Sequence, residues 1–259
     1  MTDRKQILFG ITDADDKTFL TRMCDKADKA VLSGINMYTR FMAPRELNMI
    51  IQRFGKFADV EAFGGYDNAE RALVRFYDSS FCYEDVNWPI SVLKITSSGG
   101  MVFGHRDYMG SLLGLGIKRE MLGDIVICSD CAVVFCHSDI EDFILLNFTK
   151  VGRTTIRCEL CNTDELELPQ RAFKDKSITV SSLRLDCVVS AATNLSRSSA
   201  TEAVRRGAVT HNYEEAQSAS KIVTNGDVIS VRGFGKFVVE CSGELTKKGR
   251  YHATIKQYI

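Results

Sequence analysis

The segment from Ser181 to Asn212 constrains the fold most, because it sets helix-start and helix-stop signals close together around two apolar stripes. Leu185, Val188, Val189 and Ala192 recur at helical spacing and form one apolar face. Ser182, just ahead of them, is the expected N-cap, its hydroxyl accepting a backbone N–H. Ser196 offers a second cap, Ala200, Ala203 and Val204 continue the stripe, and Gly207 suits the left-handed conformation that ends a helix. The expectation is two short helices packed on each other. Their polar positions carry Arg184, Arg197, Arg205 and Arg206. At about 100° per residue, Arg197 and Arg205 lie roughly 80° apart around the axis and share a surface.

Around this pair the pattern predicts an α+β protein. Asp16 to Leu32 and a segment opening at Pro44 read as helices, the second ending near Gly55. Val60 to Phe63 and Ala72 to Phe76 read as strands around the loop Gly64-Gly65-Tyr66. Ser91 to Thr96, Ile125 to Cys136 and Thr154 to Leu160 are strand candidates, and Ser111 to Leu122 and Asp139 to Phe148 are helical candidates. From pattern alone this region is one of several α+β layer arrangements. Pro169 to Ser177 reads as a polar linker. Asp227 to Arg232, Lys236 to Cys241 and Tyr251 to Tyr258 are expected to form a small antiparallel sheet behind the helix pair. The expected division is 1–75, mainly helical, then 76–168, then 178–259.

Charge sharpens this division. Basic and acidic residues both total 33, but the stretch from Ser181 onward holds 11 basic and 7 acidic residues, net +4, leaving 22 basic and 26 acidic before it. Segregation of that kind suits a C-terminal module that meets phosphate. Met1 to Leu20 mixes both charges without a long apolar core, so it is not read as a signal peptide. No apolar run approaches the roughly 20 residues that cross a bilayer, and the expected location is the cytoplasm, with no membrane partner. The nine cysteines are accordingly expected to be free thiols.

Arg184-Leu-Asp186 opening one helix, Ser196-Arg197 opening the next, then Ala200, Gly207, Val209 and Asn212, resembles the S-four module, the small RNA-binding unit named after the fourth small-subunit ribosomal protein. Phe63-Gly-Gly-Tyr66, His105 to Lys118, Leu122-Gly-Asp124, Asn147 to Arg153 and Gly226 to Gly235 resemble the bacterial YlmH family in order and spacing, over nearly the whole chain. The resemblance implies that the central region is an α-β plait similar to an RNA-recognition motif. It also implies a protein that binds ribosomal RNA and tRNA on a large ribosomal subunit carrying peptidyl-tRNA, in rescue of stalled translation. The expected RNA-binding residues are Arg184, Ser196, Arg197, Arg205, Arg206, Arg232, Lys236 and Lys247, with Asp186 orienting Arg184. His105, Arg106, Tyr108, Lys118 and Arg119, around a glycine-rich run read as a turn before a helix, are a possible second RNA contact or a solvated rim. The aromatic strand signature with which such a sheet stacks bases is missing. Glu214, Glu215 and Ser199 stand where related modules commonly carry basic residues, which weakens binding or shifts it toward Arg232, Lys236 and Lys247.

Several chemical motifs are lookalikes. Cys128-Ser-Asp-Cys131 and Cys158-Glu-Leu-Cys161 have zinc-ligand spacing but fall in expected strands, so they read as small buried thiols and no metal is assigned. Arg184-Leu-Asp186 matches a pseudouridine-synthase tripeptide without its structural context, and His105-Arg-Asp107 matches a kinase loop without the downstream asparagine. No cofactor is expected, and the chain is expected to be a monomer when free. Two other readings stay open: an RNA-modifying enzyme or its accessory, and an interaction protein linked to cell division.

Overall fold

The computed structural model describes residues 3–81, 86–162, 166–169, 173–246 and 249–258. The chain forms two compact units, Met1–Pro169 and Gln170–Ile259.

In the first unit, a short helix α1 (Arg4–Leu8) precedes α2 (Ala14–Ser33), which Asp13 caps by accepting the Asp16 N–H and which Gly34 ends at φ 62°. After β1 (Met37–Tyr38), α3 (Pro44–Phe54) starts at proline, and the Glu46 carboxylate accepts the Ala43 N–H. Strands β2 (Asp59–Phe63) and β3 (Leu73–Tyr77) complete a three-stranded antiparallel sheet of order β1-β3-β2. Strand β3 runs across the boundary expected at residue 75. Leu20, Met23, Ile50 and Phe54 from the helices bury against Val74 and Phe76.

Next come β4 (Ile90–Ser97), α4 (His105–Gly114), β5 (Leu122–Ile127), β6 (Ala132–His137), α5 (Glu141–Asn147), β7 (Lys150–Val151) and β8 (Thr154–Leu160). The strands form an antiparallel sheet of order β5-β6-β4-β8-β7. Strand alternation gives it two buried faces. Ala132, Val134 and Cys136 meet Tyr108, Leu112 and Ile144 of the helices, whereas Val133 and Phe135 point the other way, onto Phe41, Leu73 and Tyr66. The second face is therefore covered by the N-terminal elements. Helix α4 starts at His105, six residues ahead of the expectation, and includes Gly110 and Gly114; the turn falls after it, at Gly116 with φ 83°. Burial of Tyr108 and Leu112 on one face outweighs the roughly 1 kcal/mol cost of each interior glycine.

Two motifs far apart in sequence join these layers. A Cβ on Gly64 would lie 2.4 Å from the Arg71 carbonyl, and one on Gly65, at φ 99°, 2.4 Å from the Phe135 ring. Tyr66 then stacks on Phe135 with centroids 4.7 Å apart and donates its hydroxyl to Asp124 at 2.8 Å. Asp124 also accepts the Glu70 and Arg71 N–H groups. Gly65→Ala is expected to destabilise the first unit by about 2–3 kcal/mol through the Phe135 clash and the left-handed backbone. A lowered urea midpoint checks this; an unchanged midpoint contradicts it.

The second unit opens with β9 (Phe173–Val180), where a linker was expected through Ser177. Its run of Lys174, Asp175 and Lys176 looks like a loop but belongs to an edge strand, where charges deter unwanted pairing. All eight of its residues pair with β14 (Tyr251–Tyr258). Between them lie α6 (Leu185–Thr193), α7 (Arg197–Arg205), β10 (Val209–His211), β11 (Glu214–Glu215), β12 (Val228–Val231) and β13 (Gly235–Leu245), in sheet order β11-β10-β12-β13-β14-β9. Leu185, Val188, Val189, Ala200, Ala203 and Val204 bury together against Ile229, Val239 and Ile255 of the sheet. Ser196 caps α7 by accepting the Ser199 N–H, and Gly207 follows it at φ 66°. Ser182 does not cap α6: Arg184 is the N-cap residue, and Leu185 and Asp186 donate their N–H groups to the carbonyls of Lys221 and Ala219. Lys176 instead serves the other end, donating to the Ala191 and Ala192 carbonyls and to Asn194, which adopts φ 59°.

Candidate nucleic-acid interface

The start of α6 places Asp186 where its side chain is only 4% exposed, and two guanidinium groups converge on it. Arg184 donates through Nε and Nη2 at 3.1 and 3.0 Å, and Arg197, at the start of α7, donates Nε at 3.1 Å. The Cys187 N–H adds a fourth bond at 2.9 Å. Burial opposes ionisation of Asp186, but hydrogen bonds from Arg184, Arg197 and Cys187 outweigh it and hold its pKa down at about 2. Asp186 is thus a clamp that orders two arginines whose side chains remain 37% and 56% exposed. Their remaining donors are available for planar, bidentate contact with phosphate.

Arg205 and Arg206 form a second group. Arg205 makes a two-point pair with Glu202 at 2.8 and 2.9 Å, and Arg206 reaches the same carboxylate at 3.8 Å. Both stay exposed, and such surface pairs contribute little to stability. Helical geometry sets Arg205 about 80° and Arg206 roughly 180° around the axis from Arg197, so the Glu202 group is separate from the pair on Asp186. Ser196 is exposed and occupied as a cap. The first N–H groups of α6 are taken by carbonyls, so that helix start offers phosphate its arginines rather than its backbone.

Of the residues expected in the sheet, Arg232 is exposed, and Lys236 sits 5.0 Å from the Tyr213 ring and 4.7 Å from the Tyr258 ring. Lys247 lies outside the described residues. Glu214 and Glu215 form the exposed edge strand β11. The turn before it, Asn212-Tyr213, has φ 50° and 68° and is fixed by the buried Asp227, which accepts from Asn212 and Thr224 and pairs with His211 at 2.7 Å.

The central candidates separate. His105 and Arg106 are exposed on the first turn of α4, but Tyr108 is 1% exposed and belongs to the core beneath that helix. Its place as an RNA contact is withdrawn; the spacing of Tyr108 to Leu112, one helical turn on the apolar side, is the signal that identifies it as core. Arg119 is half-buried and donates to the Leu122 and Gly123 carbonyls at 2.8 and 3.2 Å. Together with Lys118 it lines a cavity shared with Arg22, Lys26, Arg40 and Arg71, none of which sequence reasoning singled out.

Cys128 and Cys131 do not lie within a strand: they flank the β5–β6 hairpin turn, the Cys128 N–H donating to the Cys131 carbonyl. Ser129 and Asp130 supply the turn chemistry. Cys128, Cys131 and Cys161 pack on one side of the sheet and Cys158 on the helix side, so the four thiols do not converge. Among the described residues no three histidine, cysteine or acidic side chains form a metal-binding group, and no helix is long and apolar enough to cross a membrane.

Comparison with known proteins bears on this architecture. Residues 15–80 match a family model described as "YlmH, N-terminal", and residues 84–165 match one described as "Putative RNA-binding domain in YlmH". A Bacillus subtilis (strain 168) protein named "Ribosome-associated protein quality control protein P2" is 31% identical over 222 residues, 85% of this chain and 86% of its own. The solved structure of "Cell division protein ylmH from Streptococcus pneumoniae" shares the fold at 20% identity, with a TM-score of 0.51, covering 61% of this chain and 99% of that one. Motif order, two family models and a relative matched over most of both lengths agree: the chain belongs to the YlmH family.

Proposed function

We propose that this protein is a non-enzymatic RNA-binding factor that holds tRNA and ribosomal RNA on a large ribosomal subunit left with peptidyl-tRNA after stalling. The observation that carries this reading is the Arg184–Asp186–Arg197 clamp: one buried carboxylate presents two exposed guanidinium groups from adjacent helix starts. Such a pair reads phosphate spacing and shape rather than base identity. Support for the setting comes from the relative named for ribosome-associated quality control. The S-four reading is supported by the helix pair backed by an antiparallel sheet, and the plait reading by the βαββαβ order of β4, α4, β5, β6, α5 and β8, with β7 a two-residue addition at the edge and both helices on one face. In that plait the face opposite the helices is covered by Phe41, Tyr66 and Leu73, so RNA contact is assigned to the C-terminal module and not to base stacking on the central sheet.

Sedimentation with purified large subunits tests the reading. The protein is expected to pellet with subunits carrying peptidyl-tRNA and to remain mostly in the supernatant with vacant ones. Failure to pellet with either contradicts it. Appearance of new modified nucleotides in the recovered RNA favours the enzyme instead.

A further inference from the structure

Within the first unit, the N-terminal helices and the central sheet border an open cavity of about 810 Å³, inside the size range of small-molecule sites. Six cations line it: Arg22 and Lys26 of α2, Arg40 after β1, Arg71 before β3, and Lys118 and Arg119 before β5. Among the described residues two carboxylates share the lining, Glu46 and Glu120, and Glu46 is turned to the start of α3 to accept the Ala43 N–H.

The deeper cations are held by carbonyl oxygens. Lys26 donates to Tyr38 at 2.8 Å, Arg71 to Leu122 and Phe41 at 2.9 Å each, and Arg119 to Leu122 and Gly123. A carbonyl satisfies an N–H but leaves the positive charge standing. Burial accordingly pushes the Lys26 and Arg71 pKa values down and takes Arg119 to about 10. Glu46 and Asp124 offset part of the charge at Arg71, and Asp124 part of that at Arg119; the excess that remains is a positive field that an anion would relieve. Arg40 is tied to Asp139 at 2.8 Å, while Arg22 and Lys118 are exposed and make no ion pair among the described residues. Half-buried Phe19 and Tyr38 add aromatic surface to the walls.

We propose that this cavity binds one nucleotide, its phosphate held by Arg22 and Lys118 and its base against Phe19 and Tyr38. An unpaired nucleotide of an RNA strand and a free nucleotide carry this same chemistry of phosphate and aromatic base. The site uses none of the arginines of the C-terminal module and stands whether or not they grip RNA.

The full-length Arg184→Gln/Arg197→Gln variant isolates the cavity from the C-terminal clamp. Binding of AMP and ATP to it is followed by calorimetry, and binding of a fluorescein-labelled single-stranded RNA heptamer by anisotropy. At least one probe is expected to bind. Adding Arg22→Glu and Lys118→Glu is expected to weaken that probe by about tenfold or more and, for the RNA heptamer, to lower the salt dependence by about one phosphate contact. Arg22→Ala with Lys118→Ala moves it less, in the same direction, and Lys56→Glu, at an exposed position outside the cavity, leaves it unchanged. Binding of AMP or ATP alone identifies a free-nucleotide site; binding of RNA alone identifies a strand site. The proposal is overturned if neither probe binds, or if the cavity substitutions leave binding unchanged while the proteins remain folded by circular dichroism.

Discussion

Replacing Arg184 and Arg197 together by glutamine is expected to weaken association with peptidyl-tRNA-bearing large subunits about 100-fold, the loss of two charge-assisted contacts at about 1.4 kcal/mol each. The slope of log affinity against log salt should fall by about two, because each guanidinium displaces about one counterion from the RNA. Lysine at both positions should retain the slope yet recover only part of the affinity, since an ammonium lacks the planar fork. Glutamine at Arg205 alone should cost less, because that side chain is 77% exposed and shared with Glu202. Quantitative pelleting across a salt series checks all four proteins. An unchanged slope in the double glutamine variant would show that these arginines do not meet phosphate.

The second large effect concerns Asp186. Its folded pKa of about 2 lies below an ordinary carboxylate value of about 3.9, so its contribution to stability is fully present above about pH 4 and is lost as pH falls toward 2. A depression of that size corresponds to about 2 kcal/mol. Asp186→Ala is therefore expected to lose about 2 kcal/mol at neutral pH and to show a flatter stability profile between about pH 4 and 2 than the parent protein. RNA affinity should fall as well, because Arg184 and Arg197 would have to be ordered at the moment of binding. Urea unfolding at several pH values reads the first effect and pelleting the second. Parallel pH profiles for the two proteins would contradict the clamp.

The helix pair was legible because its signals are local: the Ser196 cap, the apolar stripe and Gly207 all lie within one short segment. Where the outcome depended on distant partners, sequence misled. Lys174 to Ser177 read as a linker because the residues they pair with, 254–257 of β14, lie some 80 positions on. Ser182 looked like a cap, yet the N–H groups at the start of α6 find carbonyls at Ala219 and Lys221. Family resemblance picked out Gly65, Tyr66 and Asp124 without a role for any of them; the structure makes them one joint, across 58 residues between Tyr66 and Asp124. Arg184 and Arg197 could be chosen from sequence because each stands at a signalled helix start, but Asp186 was read as orienting Arg184 alone, and its bond to Arg197 emerges only when the two helices pack. The basic cavity could not, since its cations come from four separate segments and Arg22 and Lys26 read as the ordinary polar side of an amphipathic helix.

A cryo-EM map of the protein on a peptidyl-tRNA-bearing large subunit tests the central claim most directly. Arg184 and Arg197 should both lie within hydrogen-bonding distance of phosphate oxygens, with the Asp186 contacts intact. A map in which that pair faces solvent while another surface of the protein holds the RNA would contradict it.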